Sequence, residues 1–588
     1  MERNSKLIDK KFYQYLLPSI MMIFAMQFGS LFDGVLIGNM IGSDALSATS
    51  LVMPVLFIIQ IPGFALGTGG SIVVANLLGK RDVDKANKIF SACLIIGTLL
   101  SAVFSVLAPL VSKPLAKLFA ESLFDYSYKY IFVYMVTDPV MMLALMLASF
   151  IATDNNPKLS AAFYIIANAV KIVTEVLFIK VCGMGIYGAA LSSPVGYAIG
   201  LVTLVFYIKS KKRILDFTWK LKGIAKELKA TVKAALPTAL TLLLTAVQTL
   251  IINVVLSRMI TQDLDLVIFG LVSNLVFVFD LFSGGIIGLI PNVCGVLYGE
   301  KDFYSLRSIV KKIYFINIAV SVLITIVIMA WPKGYTALFG FNQEEGFKQV
   351  AYILRIYLLS AIPLEINKFS TSYYPSVEKN MPSLVTVLLR EAGLIIPLTL
   401  ILMKTNGLFG YSLARVITEV ATIVITYGVI LIYNAKTKKY HGIFMFEKTD
   451  LKSLDISVEN KPENAAYASK EVTDFALANG LDDRNAQIIG LATEEMISNI
   501  ITYGYKKQKP NYVDVNVKIG EDVILRIRDD GAPFDPTKYE YENDDAYLTG
   551  GIALINGLAD EMSYMRVLNL NNTIIKLNLG EVKNGSKN

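Results

Sequence analysis

Cysteine, histidine and tryptophan are scarce: the 588 residues include three cysteines, one histidine and two tryptophans. The cysteines, Cys93, Cys182 and Cys294, lie far apart within apolar stretches, so they form neither a disulfide framework nor a metal-site spacing. The sequence also lacks the phosphate loop G-x-x-x-x-G-K-S/T, which argues against ATP-powered pumping. The single histidine, His441, has no phosphoacceptor helix around it, which argues against a histidine kinase.

Charge is scarce as well, and this indicates a membrane protein. Only 18% of the residues are charged, whereas 54% are hydrophobic and the mean hydropathy is +0.54, too apolar for an ordinary soluble chain. The apolar part ends near Tyr440, and the remainder is rich in Asp, Glu, Asn and Lys. We therefore expect two domains of different class. The N-terminus has no small-residue cleavage site, so the first apolar helix is expected to remain as an anchor.

The apolar part contains twelve stretches long enough to span a bilayer as helices of about 20 residues. They lie near residues 12–38, 50–74, 88–110, 130–151, 158–180, 187–208, 234–259, 266–292, 312–331, 352–373, 382–403 and 408–433. The connections after the second, sixth and eighth spans are rich in Lys and Arg, which places them on the cytoplasmic side. Both termini of this multi-pass plasma-membrane protein are then expected in the cytoplasm.

The two halves of the apolar part repeat weakly. Leu17-Pro18-Ser19 recurs as Leu236-Pro237-Thr238, and the sequence GKRD at 79–82 recurs as GEKD at 299–302. The offset is constant, so residues 1–220 and 221–440 are predicted to be two six-helix repeats. An even number of crossings gives both repeats the same topology, with a substrate cavity between them.

The first span reads LFDGVLIGNMIG, and the fifth ends in FIKVCGMGIYGAALSS. With the repeated six-helix arrangement, these stretches resemble the multidrug and toxic compound extrusion (MATE) family over roughly residues 10 to 435. The resemblance implies export of small amphipathic, often cationic, organic molecules by alternating access. It also implies H⁺ or Na⁺ as the coupling ion.

Ionisable residues inside spans are costly, and they are therefore functional candidates. Asp33 in the first span matches the family's cation-responsive aspartate, Glu175 in the fifth stands where the family has a second acid, and Asn168 precedes it by two turns. Lys171 stands where the family usually has Asn. Since Lys171 and Glu175 are four residues apart, they share a helix face and can pair. A resident ammonium can replace a metal cation, which favours proton coupling, or no coupling, over Na⁺. The alternatives are a neutralised pair that lets the fifth span lie in lipid and, for Asp33, a hydrogen-bonded structural carboxylate or one near the membrane exit.

The second half contains four further acids within spans. Glu391 and Glu419 follow arginines by one and four residues, so structural ion pairs are expected there. Asp280 and Glu365 have no obvious local partner and are weaker candidates for substrate or proton contact.

Residues 450–588 have the pattern of a soluble αβ domain. ISVEN, YVDVNVKIG and VILRIR alternate as half-buried strands do, and Asn464–Asn479 and Asp483–Tyr503 have helical periodicity. The predicted fold is an α/β sandwich appended to the all-α membrane bundle.

Three motifs in this domain contain residues suited to metal binding, catalysis or phosphate binding. In EEMISN, Glu495 and Asn499 share a helix face; an amide oxygen can bind Mg²⁺, and a carboxylate can act as a base. DDGAPFD begins at Asp529 directly after a strand. In TGGIALI, Gly550 and Gly551 open a helix whose backbone N–H groups can approach phosphate.

In this order, and with the closing hairpin MSYMRVLNLNNTIIKLNL, the motifs resemble the GHKL (Bergerat) ATPase fold, in its anti-sigma-factor serine kinase branch, over about residues 450 to 580. The resemblance assigns Mg²⁺ to Asn499, the catalytic base to Glu495 and the adenine amino group to Asp529. Gly531, Gly550 and Gly551 are assigned to the nucleotide loops, and Thr573 is assigned to nucleotide binding. Two features depart from the family: Ala553 replaces a loop glycine, and Asn571-Asn572-Thr573 replaces the usual Gly-Thr-Thr type turn.

Two functions from different classes follow. The preferred one is a cation-coupled exporter with an ATP-binding regulatory or signalling domain. The alternative is a membrane receptor whose bundle binds a ligand and whose domain phosphorylates a cytoplasmic regulatory protein on Ser or Thr. Lys171 favours the receptor, and Asp33 favours the exporter. The expected partners are a small organic substrate, the lipid bilayer and this regulatory protein, with no nucleic acid.

Overall fold

The computed structural model describes residues 3–118, 121–210, 213–259, 263–339, 341, 344, 346–447, 452–505, 510–520, 522–538, 552, 555–557 and 559–578. Their contacts divide the chain into two compact units. The helical unit comprises Gln14–Phe446, and the sheet unit combines Met1–Tyr13 with Glu447–Asn588. The sheet unit is thus built from both ends of the sequence.

Long apolar runs form helices because every backbone N–H and C=O is then bonded within the segment. In chain order the helices are α1 (Lys6–Met40), α2 (Ser43–Gly79), α3 (Val83–Ala116), α4 (Phe124–Thr153), α5 (Pro157–Val176), α6 (Ile186–Gly200), α7 (Thr203–Ile208), α8 (Ala225–Met259), α9 (Asp263–Phe279), α10 (Gly285–Gly288), α11 (Ile290–Gly299), α12 (Phe303–Ala330), α13 (Pro332–Leu338), α14 (Phe347–Leu358), α15 (Ala361–Ser376), α16 (Asn380–Leu388) and α17 (Ile395–Thr437). Single π-helical turns continue α5, α9 and α16.

Among the described residues, eleven helical segments are long and apolar enough to cross a membrane. The last, Asn380–Thr437, has 58 residues. A straight helix of that length would measure about 87 Å, nearly three bilayer cores. It is interrupted at Gly407, whose φ of 55° and ψ of −137° are not helical. The segment therefore accommodates both of the last two predicted spans, and the predicted helical membrane bundle is confirmed.

The turns after α2 and α11 have the same local geometry. Arg81 and Lys301 adopt left-handed φ values of 64° and 55°. The next residues, Asp82 and Asp302, cap α3 and α12 by accepting a hydrogen bond from the backbone N–H three residues later, at 3.1 and 3.2 Å. The weak repeat seen in the sequence is thus accompanied by a repeated turn conformation.

The glycines of the repeated motif allow close contact between α2 and α11. A Cβ atom added at Gly79 would lie 2.3 Å from the carbonyl oxygen of Val296, and one added at Gly299 would lie 2.2 Å from that of Asn76. Both distances are too short for any side chain. Glycine is therefore required on both helices where they meet.

In the described residues, the C-terminal sequence folds as a five-stranded antiparallel sheet covered by two helices. A short hairpin of β1 (Tyr440–His441) and β2 (Phe446–Glu447) precedes β3 (Lys452–Glu459), α18 (Glu463–Ala478), α19 (Asp483–Asn499), β4 (Tyr512–Ile519), β5 (Asp522–Asp529), β6 (Glu561–Val567) and β7 (Leu570–Asn578). The strand order is β3-β4-β5-β7-β6. Alternation along β4 buries Val513, Val515 and Val517 in the core beneath the helices. The predicted α/β sandwich is confirmed.

Candidate functional site

Asp33 on α1 forms an ion pair with Lys171 on α5. The Asp33 side chain is 21% exposed and that of Lys171 is 12% exposed. The expectation that Lys171 pairs with Glu175 on its own helix is wrong. Two side chains four residues apart can meet, but the rotation of α5 directs the ammonium to the neighbouring helix instead.

Glu175 is 1% exposed, and neither of its carboxyl oxygens has a hydrogen-bond partner among the described residues. Its charged neighbours are Asp33 and Lys171. Burial of a carboxyl group that has no donor costs less when the group carries a proton.

Asn168 brings α1 and α5 together. Its side-chain oxygen would lie 2.1 Å from a Cβ atom added at Gly29 of α1, and its amide donates to the carbonyl oxygen of Tyr164 at 2.9 Å. Asn168 thus packs directly against α1 one turn before Asp33.

Asp138 on α4 is a buried acid that the sequence analysis missed. It is fully buried, and neither carboxyl oxygen has a hydrogen-bond partner among the described residues. Tyr134, one turn earlier, accepts a hydrogen bond from Gln60 of α2 at 2.7 Å. The available signal was an aspartate inside an apolar span, the same signal that identified Asp33.

In the second half, Lys368 contacts both Asp280 and Glu365. It pairs with Asp280, and its ammonium lies 3.1 Å from Glu365, which is fully buried. The expectation that these acids lack a local partner is wrong, because Lys368 follows Glu365 by three residues on α15. The same cation also reaches the turn after α9.

The expected ion pairs at Glu391 and Glu419 are confirmed. Arg390 lies 2.9 Å from Glu391 and 3.0 Å from Glu419, and Arg415 lies 3.1 Å from Glu419. Asn367 adds a hydrogen bond to Glu419 at 2.7 Å. These buried charges are paired and hydrogen-bonded, as a structural network requires.

The sheet unit contains a cavity of about 390 Å³ beside α19 and β5. Asn499, at the end of α19, lines it and donates a hydrogen bond of 2.9 Å to the half-buried Glu495. The two residues of the EEMISN motif therefore form one unit at the cavity wall. The cavity is lined by Met496, Asn499, Ile500, Tyr503, Gly504, Asp529, Ala532, Pro533, Phe534, Pro536, Ile552, Asn571 and Thr573.

Asp529 ends β5 at the wall of this cavity and is 4% exposed. One carboxylate oxygen accepts hydrogen bonds from the backbone N–H of Gly531 at 2.7 Å and from the Asn571 amide at 2.9 Å. Burial raises the pKa of Asp529 to about 6, although both hydrogen bonds act in the opposite direction. The other oxygen can accept a hydrogen bond from a ligand amino group.

Gly531 lies where the chain has no room for a side chain. A Cβ atom added there would be 2.7 Å from the Gly504 carbonyl oxygen and 2.9 Å from the Asp529 carboxylate. The loop after β5 is thereby held against the end of the helix that carries Asn499.

Thr573 lines the cavity, but it is not in a turn. Asn571 to Thr573 belong to β7, and the hairpin turn lies at Leu568 and Asn569, with φ values of 55° and 56°. The expectation of a turn at Asn571-Asn572-Thr573 is therefore wrong. In the strand, Asn571 supports Asp529 instead. Gly550, Gly551 and Ala553 lie outside the described residues.

Two family models match the chain. One is described as MatE and matches residues 18–177 and 237–401, and the other is a histidine kinase-like ATPase domain at 458–577. Multidrug export protein MepA of Staphylococcus saprophyticus is 21% identical over 404 residues, which cover 66% of this chain and 87% of that protein. MepA of Staphylococcus haemolyticus is 23% identical over 186 residues, or 31% of this chain. That match spans only 41% of the relative's length.

A solved structure gives the same fold for the helical part. It is an outward-facing conformation of a multidrug resistance MATE family transporter, with a TM-score of 0.67 and 17% identity. The match covers 73% of this chain and 96% of that one.

Proposed function

Because the chain belongs to the MatE family, we propose that its helical unit exports small amphipathic, cationic compounds across the plasma membrane in exchange for protons. The proposed mechanism is alternating access, with both termini in the cytoplasm. The C-terminal ATPase-like domain is proposed to bind Mg-ATP and to regulate export. The observation that carries the proton-exchange proposal is the buried Glu175, which has no donor among the described residues and lies beside an aspartate already paired with a lysine.

Charge balance supports the exchange. Lys171 neutralises Asp33. A third ionisable group, Glu175, is then tolerated in a buried site when it carries a proton. Loss of that proton leaves two carboxylates sharing one ammonium. A cationic substrate can compensate this negative charge, and proton and substrate then bind alternately.

Lys171 also bears on the identity of the coupling ion. Its ammonium already pairs with Asp33, so a Na⁺ at the same carboxylate would meet a like charge, and like charges repel strongly in a site of low dielectric constant. This supports H⁺ over Na⁺.

The test uses the full chain in proteoliposomes loaded with an amphipathic cationic dye. Export is expected to follow an imposed pH gradient and to ignore a Na⁺ gradient once the pH gradient is collapsed. Asp33→Asn and Glu175→Gln each remove a proton site at nearly constant volume, so export should fall to background at normal expression. Glu121→Gln, at an exposed position, is the matched control and should leave export unchanged. Strict Na⁺ dependence, or wild-type export by both variants, would refute the proposal.

The cavity in the sheet unit supports ATP binding. Its volume lies within the range of about 300–1,000 Å³ typical of small-molecule sites. Asp529 presents an acceptor for the adenine amino group, Asn499 offers an amide oxygen to Mg²⁺, and Thr573 lines the cavity. Gly531 supports the Asp529 carboxylate through its backbone N–H. Glu495, hydrogen-bonded to Asn499, is the proposed base that takes the proton from an attacking hydroxyl. When bound, Mg-ATP supplies the phosphoryl group.

The Asp33–Lys171 pair also favours a second function. A coupling carboxylate held by a lysine is compatible with a receptor whose bundle binds a ligand without moving it. The domain would then phosphorylate a cytoplasmic regulatory protein on Ser or Thr. Ligand-dependent phosphorylation of such a protein, with no dye movement in proteoliposomes, would establish this alternative over export.

A further inference from the structure

The first residues of the chain bind to the ATPase-like domain. The N-terminal segment, residues 3–13, belongs to the sheet unit together with the residues from Glu447 onward. It includes the first eight residues of α1, which begins at Lys6. The segment is therefore both a part of this domain and the start of the first span.

Arg3 fixes the segment to the edge strand β3 and to its neighbour β4. Its guanidinium lies 2.8 Å from Asp455 and 3.4 Å from Asp514, and its side chain is only 4% exposed. Its backbone N–H donates to the carbonyl oxygen of Asp455 at 3.1 Å, and that of Asn4 donates to the Ser457 hydroxyl at 3.1 Å. Ser457 in turn donates to Asp514 at 2.6 Å. Such a buried and specific set of contacts is unlike a loosely attached terminus.

Lys10 and Lys11 make the second contact, with Asp530. Their ammonium groups lie 2.6 and 3.6 Å from one Asp530 oxygen. The side chains of Lys11 and Asp530 are 7% and 4% exposed, whereas Lys10 is 48% exposed. Three acids on the domain, Asp455, Asp514 and Asp530, are thus matched by three cations from the segment.

Asp530 lies in the loop after β5, next to a residue of the cavity wall. Asp529 precedes it and lines the cavity, and Gly531 follows it and donates its N–H to the Asp529 carboxylate. The next residue, Ala532, also lines the cavity and donates to the carbonyl oxygen of Gly504 at 2.8 Å. The loop 529–532 therefore faces the cavity with Asp529 and the N-terminal segment with Asp530.

We propose that the N-terminal segment is the element through which nucleotide in the cavity acts on the first span. An adenine amino group bound by Asp529 alters the hydrogen bonding of the loop 529–532, and Asp530 moves with that loop. Lys10 and Lys11, which pair with Asp530, belong to α1. A movement of Asp530 is therefore passed to α1, the helix that also carries Asp33. This inference rests on the proposed ATP binding and export functions.

The first test measures hydrogen exchange in the full-length protein with and without a non-hydrolysable Mg-ATP analogue. Nucleotide is expected to protect the loop 529–532 and to slow exchange in residues 3–13 by about threefold or more. In the double variant Lys10→Ala/Lys11→Ala, loop protection should remain and the response of residues 3–13 should disappear. Lys461→Ala removes an exposed ion pair with Glu459 in the same domain and should respond as the wild type does.

The outcomes separate this inference from the functions on which it rests. Protection of the loop without any change in residues 3–13, or an unchanged response in the double variant, would overturn the inference alone. Absence of loop protection would overturn nucleotide binding and the inference with it.

The second test measures dye export by the full chain with and without the nucleotide analogue inside proteoliposomes. Nucleotide should change the export rate of the wild type and of Lys461→Ala, while Lys10→Ala/Lys11→Ala should export at its nucleotide-free rate under both conditions. Equal nucleotide responses in all three proteins would overturn the inference. Absence of dye export by the wild type would overturn the export proposal, and hydrogen exchange would still decide the inference.

Discussion

Burial raises the pKa of Asp529 and two hydrogen bonds lower it, and burial has the larger effect. Its pKa of about 6 lies above the ordinary value of 3.8 for aspartate, so the carboxyl group titrates just below neutral pH. Ionised Asp529 is the better acceptor for an adenine amino group. We expect Mg-ATP affinity to fall about tenfold between pH 7 and pH 5, because roughly a tenth of the carboxyl groups remain ionised at the lower value.

The contribution of Asp529 to the stability of the domain changes with pH in the opposite direction to the nucleotide affinity. Because the pKa of Asp529 is raised in the folded state, the native domain binds a proton between pH 4 and 6 that the unfolded chain does not bind. The protonated Asp529 therefore stabilises the folded domain at low pH, and this contribution is lost as the pH rises through about 6. Calorimetric titration at several pH values measures the affinity. Asp529→Asn cannot titrate, and any pH effect left in it comes from the nucleotide itself. An equal pH dependence in both proteins would contradict the assignment.

Glu495 and Asn499 are predicted to have separable roles. Asn499→Ala removes the proposed Mg²⁺ ligand, so nucleotide binding itself should weaken. Glu495→Gln keeps an oxygen that can accept the 2.9 Å bond from Asn499, so binding should persist while phosphoryl transfer or hydrolysis falls by about 10² to 10⁴. Calorimetry measures binding, and release or transfer of labelled phosphate measures the chemistry. Loss of binding in Glu495→Gln would show that the carboxylate is structural.

At the scale of helices, the contact between α1 and α5 depends on Gly29. Alanine there would place Cβ 2.1 Å from the Asn168 side-chain oxygen, forcing the helices apart at a cost of about 1–3 kcal/mol. The Asp33–Lys171 pair lies one turn further along α1, so we expect reduced export. Efflux assays at matched expression measure this effect.

Gly34 provides the matched control for Gly29. Among the described residues, a Cβ atom at Gly34 would meet only Leu46, at 3.8 Å, so Gly34→Ala has the same helix-propensity gain without the clash. Its export should remain normal. If Gly29→Ala also exports normally, close contact between α1 and α5 is not needed for transport.

Local patterns predicted the elements well, because the periodicity of apolar residues decides helix against strand. The helix predicted at Asn464–Asn479 is observed at Glu463–Ala478, within one residue at each end. Partners across elements were not predictable in the same way. Spacing shows that Lys171 and Glu175 share a face, but only the packing of α5 against α1 directs Lys171 to Asp33.

The remaining errors have the same physical origin. Lys368 contacts acids on two different elements, and Asn571 supports Asp529 from another strand. Contacts between residues 42 or 88 positions apart leave no periodic signal in the sequence. The turn at Leu568 and Asn569 was also missed, since neither residue is a glycine despite its positive φ.

In the whole molecule, the helical unit is inserted between two pieces of the sheet unit. In the sequence, Met1–Tyr13 precedes it and Glu447–Asn588 follows it, so both segments contribute to the sheet unit. Thermal unfolding should reflect this division. Saturating Mg-ATP is expected to raise the midpoint of the transition that belongs to the sheet unit, by mass action on the folded state.

Arg3→Ala should lower the midpoint of that nucleotide-sensitive transition. The substitution removes the guanidinium from a buried ion pair with Asp514, which costs about 3 kcal/mol and corresponds to roughly 5–10 °C for a unit of this size. Lys461→Ala removes an exposed pair, worth less than about 1 kcal/mol, and serves as the control. Calorimetry of the full-length protein with and without Mg-ATP identifies the transition. A midpoint for Arg3→Ala equal to that of the control would show that the first residues do not stabilise this unit, because a buried ion pair cannot be broken without cost.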